Sequence, residues 1–171
     1  IDATIAAAAL VHGEAHFSAN LGMQLRRTGV ELDAALGFYS DLRGQAVATA
    51  SERPFPHSFA VEDFIYGYGG YMAAERWDAE GREGLGELLR TPPRSTFAIL
   101  ERETPGSRPT DSPSPSFELE PPYEVFAVDT LGAWMFEIVL RRAEGFNEGS
   151  GDVAEWHGDE AMFVGGETAT D

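Results

Sequence analysis

The first 27 residues carry the strongest constraint on the fold. Leu10, Phe17, Leu21 and Leu25 recur at helical spacing, and no proline interrupts them. The segment closes on Arg26-Arg27-Thr28-Gly29, and basic residues in a last turn with a glycine just beyond suit a helix C-terminus. Asp2, ahead of Ala3-Thr4-Ile5, is the candidate N-cap. A chain that begins this way must find a partner for a long apolar stripe, and the segments that follow offer more helices.

Residues 31–51 form the second expected helix, with Leu32, Leu36, Tyr39 and Val47 inward. Pro54 and Pro56 break the chain. Phe59 to Trp77 is then an aromatic-rich helix with Gly67, Gly69 and Gly70 inside it, glycines that allow another helix to approach closely. A phosphate cradle is not indicated, because no strand precedes these glycines and no Lys-Ser/Thr follows them. Gly84 to Arg90 reads as a short amphipathic helix stopped by Pro92-Pro93, and Ser95 caps another over Thr96 to Glu101. Residues 102–122 form a Pro/Ser-rich surface loop, and Thr104 to Ser116 alone holds four of the ten prolines. Val125 to Arg142 reads as the last long helix, with Leu131, Trp134, Met135, Ile138 and Val139 apolar.

Glu160 to Val164 reads as a short strand. A lone strand cannot satisfy its own backbone, and Phe97 to Leu100 or Phe117 to Leu119 are the partners within reach. The expected fold is mainly α with a minor β part: a bundle of five to six helices and a small C-terminal β element, in one domain over 1–171. The open strand, with Ile1 rather than methionine at the start, suggests a fragment of a larger domain, or an oligomer that completes the sheet.

Charge and composition narrow the function classes. With 29 acidic against 12 basic residues, the net charge is −17, and no basic face exists for phosphate recognition, so nucleic acid is excluded as a partner. No run of about 20 apolar residues is present to span a membrane. Cysteine is absent, which removes disulfides, thiol catalysis and Cys-ligated zinc. The acidity favours a well-solvated surface and an extracellular or cell-envelope setting.

Chemistry must come from few residues. The four histidines are His12, His16, His57 and His157. His12 and His16 lie four apart, about 40° around a helix and one turn from each other, so two imidazoles on one face can share a zinc ion. Glu14 falls about 160° from the midpoint of the pair, so His12-Gly13-Glu14-Ala15-His16 is not the His-Glu-x-x-His protease motif. A third ligand must come from elsewhere. The alternative is a polar patch, facing either solvent or a buried polar network. His57, between Pro56 and Ser58, reads as an exposed loop residue. In Trp156-His157-Gly158-Asp159 an aromatic, an imidazole and a carboxylate precede the strand, and Asp159 reads most simply as a turn cap.

Taken in order, several segments resemble a family of bacterial and archaeal zinc metallopeptidases of the gluzincin type, often exported or lipid-anchored. Its members carry an upstream His-Glu-x-x-His helix and then a helix with Ala-Leu-Val-Glu-Gly-Asp-Ala. A Tyr/Gly-rich helix, a Pro-Pro-x-Ser-Thr turn, an Asp-x-Leu-Gly helix and a Gly-Trp-x-Gly-Asp turn follow. Here the counterparts are Ala9-Leu10-Val11-His12-Gly13-Glu14-Ala15, Tyr66-Gly67-Tyr68-Gly69-Gly70, Pro92-Pro93-Arg94-Ser95-Thr96, Asp129-Thr130-Leu131-Gly132 and Trp156-His157-Gly158-Asp159.

The resemblance implies the C-terminal part of a metallopeptidase-like domain, with a peptide or protein as substrate and zinc as cofactor. The His-Glu-x-x-His helix is missing from this chain. His12 stands where the third zinc ligand, a glutamate, is expected, and Glu14 stands where an aspartate is. If the catalytic helix lies upstream, its glutamate would activate zinc-bound water, and His157 or Tyr66 would steady the oxyanion. Two other readings compete: a non-catalytic helical binding or structural module that kept the scaffold, and a self-contained metal site of His12, His16 and one carboxylate.

Overall fold

The computed structural model describes residues 1–27, 32–52, 57–101, 123–142, 159 and 161–166. Among them are five helices and one two-stranded sheet: α1 (Asp2–Arg27), α2 (Leu32–Glu52), α3 (His57–Arg90), α4 (Thr96–Leu100), β1 (Tyr123–Asp129), α5 (Ala133–Arg142) and β2 (Ala161–Gly166). The fold is mainly helical with a small antiparallel sheet near the C-terminus. The Pro/Ser-rich segment 102–122 lies outside the described residues.

Helix α3 is the centre of the bundle, with α1 and α2 packed along it. Its glycines explain the closeness. A Cβ on Gly69 would fall onto the Ala9 carbonyl of α1, and one on Gly70 onto the Tyr39 ring of α2. Gly13 answers from α1, where a Cβ would strike the Gly69–Gly70 backbone. The close-approach reading of these glycines is therefore correct, and small residues set the helix spacing.

Two apolar clusters flank that contact. Phe17, Leu21, Tyr39, Ala73 and Leu85 form one, and Leu10 is buried on the same α1 stripe. Ala9, Phe64, Tyr68, Trp134 and Ile138 belong to the other, where the rings of Phe64 and Trp134 stack at 4.9 Å. The side chains of Leu25 and Leu32 lie outside the described residues.

Within α3 the backbone leaves helical geometry at Gly81, where φ is 61° and ψ −141°. The two helical stretches expected over 59–77 and 84–90 are thus joined directly, across a kink at a glycine. Ser95 caps α4 as expected, its hydroxyl accepting from the Ala98 amide at 3.2 Å.

Two expectations need correction. Residues 125–142 are not one helix: Tyr123–Asp129 is strand β1, and the turn at Gly132, with φ 92°, admits α5 only from Ala133. Strand β2 pairs with β1, Val164 opposite Val125 and Ala161 opposite Asp129, while Phe97 to Leu100 is helical and Phe117 to Leu119 lies outside the described residues. The buried face of the shortened helix is set by Trp134, Glu137 and Ile138, and Val139 lies 56% exposed.

Asp2 does not cap its own helix. The Ile1 carbonyl takes the first helical bond, from the Ile5 amide, and the Asp2 carboxylate turns to Thr96. Asp2 Oδ1 accepts from the Thr96 amide at 2.9 Å and from its hydroxyl at 2.5 Å, and Thr96 Oγ1 in turn accepts from the Trp134 amide at 3.0 Å. One hydroxyl thereby ties together α1, α4 and α5.

Burial raises the Asp2 carboxyl above its ordinary value, against the Thr96 hydrogen bonds that lower it. The folded state then holds this proton more tightly than the unfolded chain does. The Asp2 contribution to stability is highest in acid, falls as pH rises from the unfolded to the folded value, and stays lower above it. Asp2→Asn keeps an acceptor for Thr96 and removes this titration. Urea midpoints between roughly pH 3 and 7 should show the variant gaining on the wild type as pH rises; a constant difference would contradict the burial of the charge.

Candidate functional site

The expected site residues separate into three groups. His12 is exposed on α1, with Ala8, Ala15, Ala19 and Met23 on the same side of the helix. His16, one turn on, is half-buried and committed. Its Nδ1 lies 3.0 Å from the Tyr39 hydroxyl of α2. Asn20 Nδ2 donates to the same hydroxyl oxygen at 3.0 Å. The phenol oxygen has lone pairs for both neighbours, so the His16–Tyr39 bond runs in either direction according to the imidazole tautomer. Burial pushes the Tyr39 phenol up, which keeps it neutral, although the Asn20 bond works the other way.

Aromatic rings close round this imidazole. Phe38 stacks on it at 6.3 Å and Tyr66 meets it edge-on at 5.5 Å. The structure therefore brings together two expected site residues, His16 and Tyr66, but as members of a polar and aromatic network between α1, α2 and α3. With Nδ1 engaged by Tyr39, Nε2 is the ring nitrogen left for any further partner. Among the described residues no three His, Cys, Asp or Glu side chains are grouped to hold a metal ion. These residues do not fit a closed zinc site.

His157 lies outside the described residues, with Trp156 and Gly158. His57 begins α3, and its side chain is outside them too. Asp159 is described, and it caps the turn before α5, accepting from the Leu131 amide at 2.7 Å and from the Gly132 amide at 3.0 Å.

A second concave feature had no sequence signal. Between α2, α3 and α4 lies a cleft of about 500 Å³. Arg43 of α2 borders it, its guanidinium carbon 4.8 Å from the ring centre of Tyr68 and 4.5 Å from that of Tyr71. Tyr68 and Tyr71 are three apart on α3, so one helix face supplies both rings. Burial raises the Tyr68 phenol, with Arg43 opposing the shift. Arg43 Nε is buried without a hydrogen-bond acceptor. Glu137, the buried acid beside Tyr68, is taken by Arg141 at 2.5 Å.

Comparison with known proteins adds no relative: no family model, no curated protein and no solved structure matches this chain.

Proposed function

We propose that this chain is a non-catalytic helical binding domain that keeps a metallopeptidase-like scaffold without its metal chemistry. One observation carries the reading: Nδ1 of His16, half of the histidine pair at ligand spacing, is engaged in a network with Tyr39 and Asn20, and among the described residues no third ligand is grouped with the pair. Such a network stabilises the α1–α2 contact and gives His16 a structural role.

Zinc titration by calorimetry, with elemental analysis of the dialysed protein, tests this. The expected result is no stoichiometric zinc site, and no difference between the wild type and His12→Ala. One equivalent of zinc, lost in His12→Ala, would overturn the reading.

That opposite result belongs to a second reading, favoured by the position of His12. The imidazole is exposed on a face of α1 with Ala8, Ala15 and Ala19 beside it and Met23 further along, where another helix bearing metal ligands would fit. On this reading the protein is a zinc-dependent peptide hydrolase, His12 supplying one ligand and groups outside the described residues the rest.

A further inference from the structure

We propose that the cleft between α2, α3 and α4 is a binding site for a small amphipathic monocarboxylate, an apolar body with one anionic head, held at Arg43. This deepens the binding-domain reading by naming what is bound and where. The volume, about 500 Å³, lies in the range of small-molecule sites. Most of the lining is apolar, with Leu36, Met72, Leu88 and Ile99 around the space, and these would take the ligand's hydrocarbon part.

The head group is specified by Arg43. Its cation rests on two tyrosine rings, and among the described residues no carboxylate pairs with it. The cation–π contacts and a hydrogen bond with the Tyr68 hydroxyl leave the positive charge without an anionic partner among the described residues, a role that a carboxylate matches in shape and charge. Nε is buried without an acceptor, so the described residues supply no carboxylate at that atom, and the head group would meet the part of Arg43 that lines the cleft. Selectivity for a single negative charge comes from the same wall. Asp78 also borders the cleft, and the whole molecule carries −17, so each additional negative charge on a ligand is disfavoured.

Octanoate is the probe, titrated calorimetrically into the full chain, with octan-1-ol and inorganic phosphate as comparisons. Octanoate should bind in the micromolar to millimolar range, at least about tenfold more tightly than octan-1-ol, and phosphate should not bind measurably. Arg43→Gln should weaken octanoate by roughly ten- to a hundredfold. Because Arg43 also packs against Tyr68 and Tyr71, a second variant guards against a folding defect. Ala79 is exposed and borders the cleft, so Ala79→Trp fills the space without touching Arg43 and should weaken octanoate by a similar factor.

No octanoate binding, equal affinity for the alcohol, stronger binding of phosphate, or an unchanged Ala79→Trp variant would each overturn the inference. Zinc binding reports on the scaffold reading independently. A protein that binds neither zinc nor octanoate leaves that reading standing and removes this site.

Discussion

Gly69→Ala is expected to lower the stability of this protein by about 3 kcal/mol. The new methyl group would fall onto the Ala9 carbonyl oxygen, and both positions are backbone in the middle of packed helices. No rotamer change can relieve that overlap, so α1 and α3 must separate. Separation also loosens the reciprocal fit of Gly13 against Gly69 and Gly70. Gly22 supplies the control. It is exposed on α1 with nothing within 4 Å of a built Cβ, and Gly22→Ala should raise stability by about 1 kcal/mol through helix propensity alone. Urea denaturation followed by circular dichroism measures both. A Gly69→Ala midpoint at or above the wild-type value would contradict the packing described for α1 and α3.

The second large effect is at Trp134. This side chain is fully buried, stacks on Phe64 at 4.9 Å, tilts against Tyr68 at 5.5 Å, and donates from Nε1 to the Ala60 carbonyl at 3.0 Å. Trp134→Ala leaves a large cavity and should cost about 3–5 kcal/mol. Trp134→Phe retains the aromatic stack but strands the Ala60 carbonyl, and should cost about 1–3 kcal/mol. Thermal melting should rank wild type, Phe and Ala in that order. Equal losses for the two variants would mean that the hydrogen bond, and not the ring volume, dominates at this position.

The helical part of this architecture was legible because its signals are local. The stripe of Leu10, Phe17 and Leu21, the basic end of α1 and the Ser95 cap each act within a few residues. Strand β1 escaped for a physical reason. Tyr123, Val125, Phe126 and Val128 put apolar side chains on both faces, so neither a period of two nor a helical period stands out. The β-branched and aromatic content of that run, together with the glycine at 132, was the available clue. The fate of His16 was hidden more deeply. Spacing placed it on one face with His12, but its partners Tyr39 and Tyr66 come from two other helices. The Arg43 cleft is likewise made by residues from three elements, and no local pattern announces it.

The ribbon of β1 and β2 gives the surplus of acidic side chains a further role. Phe126 is 72% exposed, Tyr123 57% and Val128 55%, with Phe163 and Val164 open on the facing strand. Among the described residues no third strand joins the ribbon, and an outer edge left without one is a template on which further strands can grow. Nothing in the ribbon's own apolar side chains discourages that growth. What opposes it is mutual repulsion between molecules that each carry −17, a force that fades over a Debye length of about 10 Å in 0.1 M salt. The acidic coat thus serves as a colloidal gatekeeper, and the protein's tendency to polymerise is set by its counter-ions as much as by its fold.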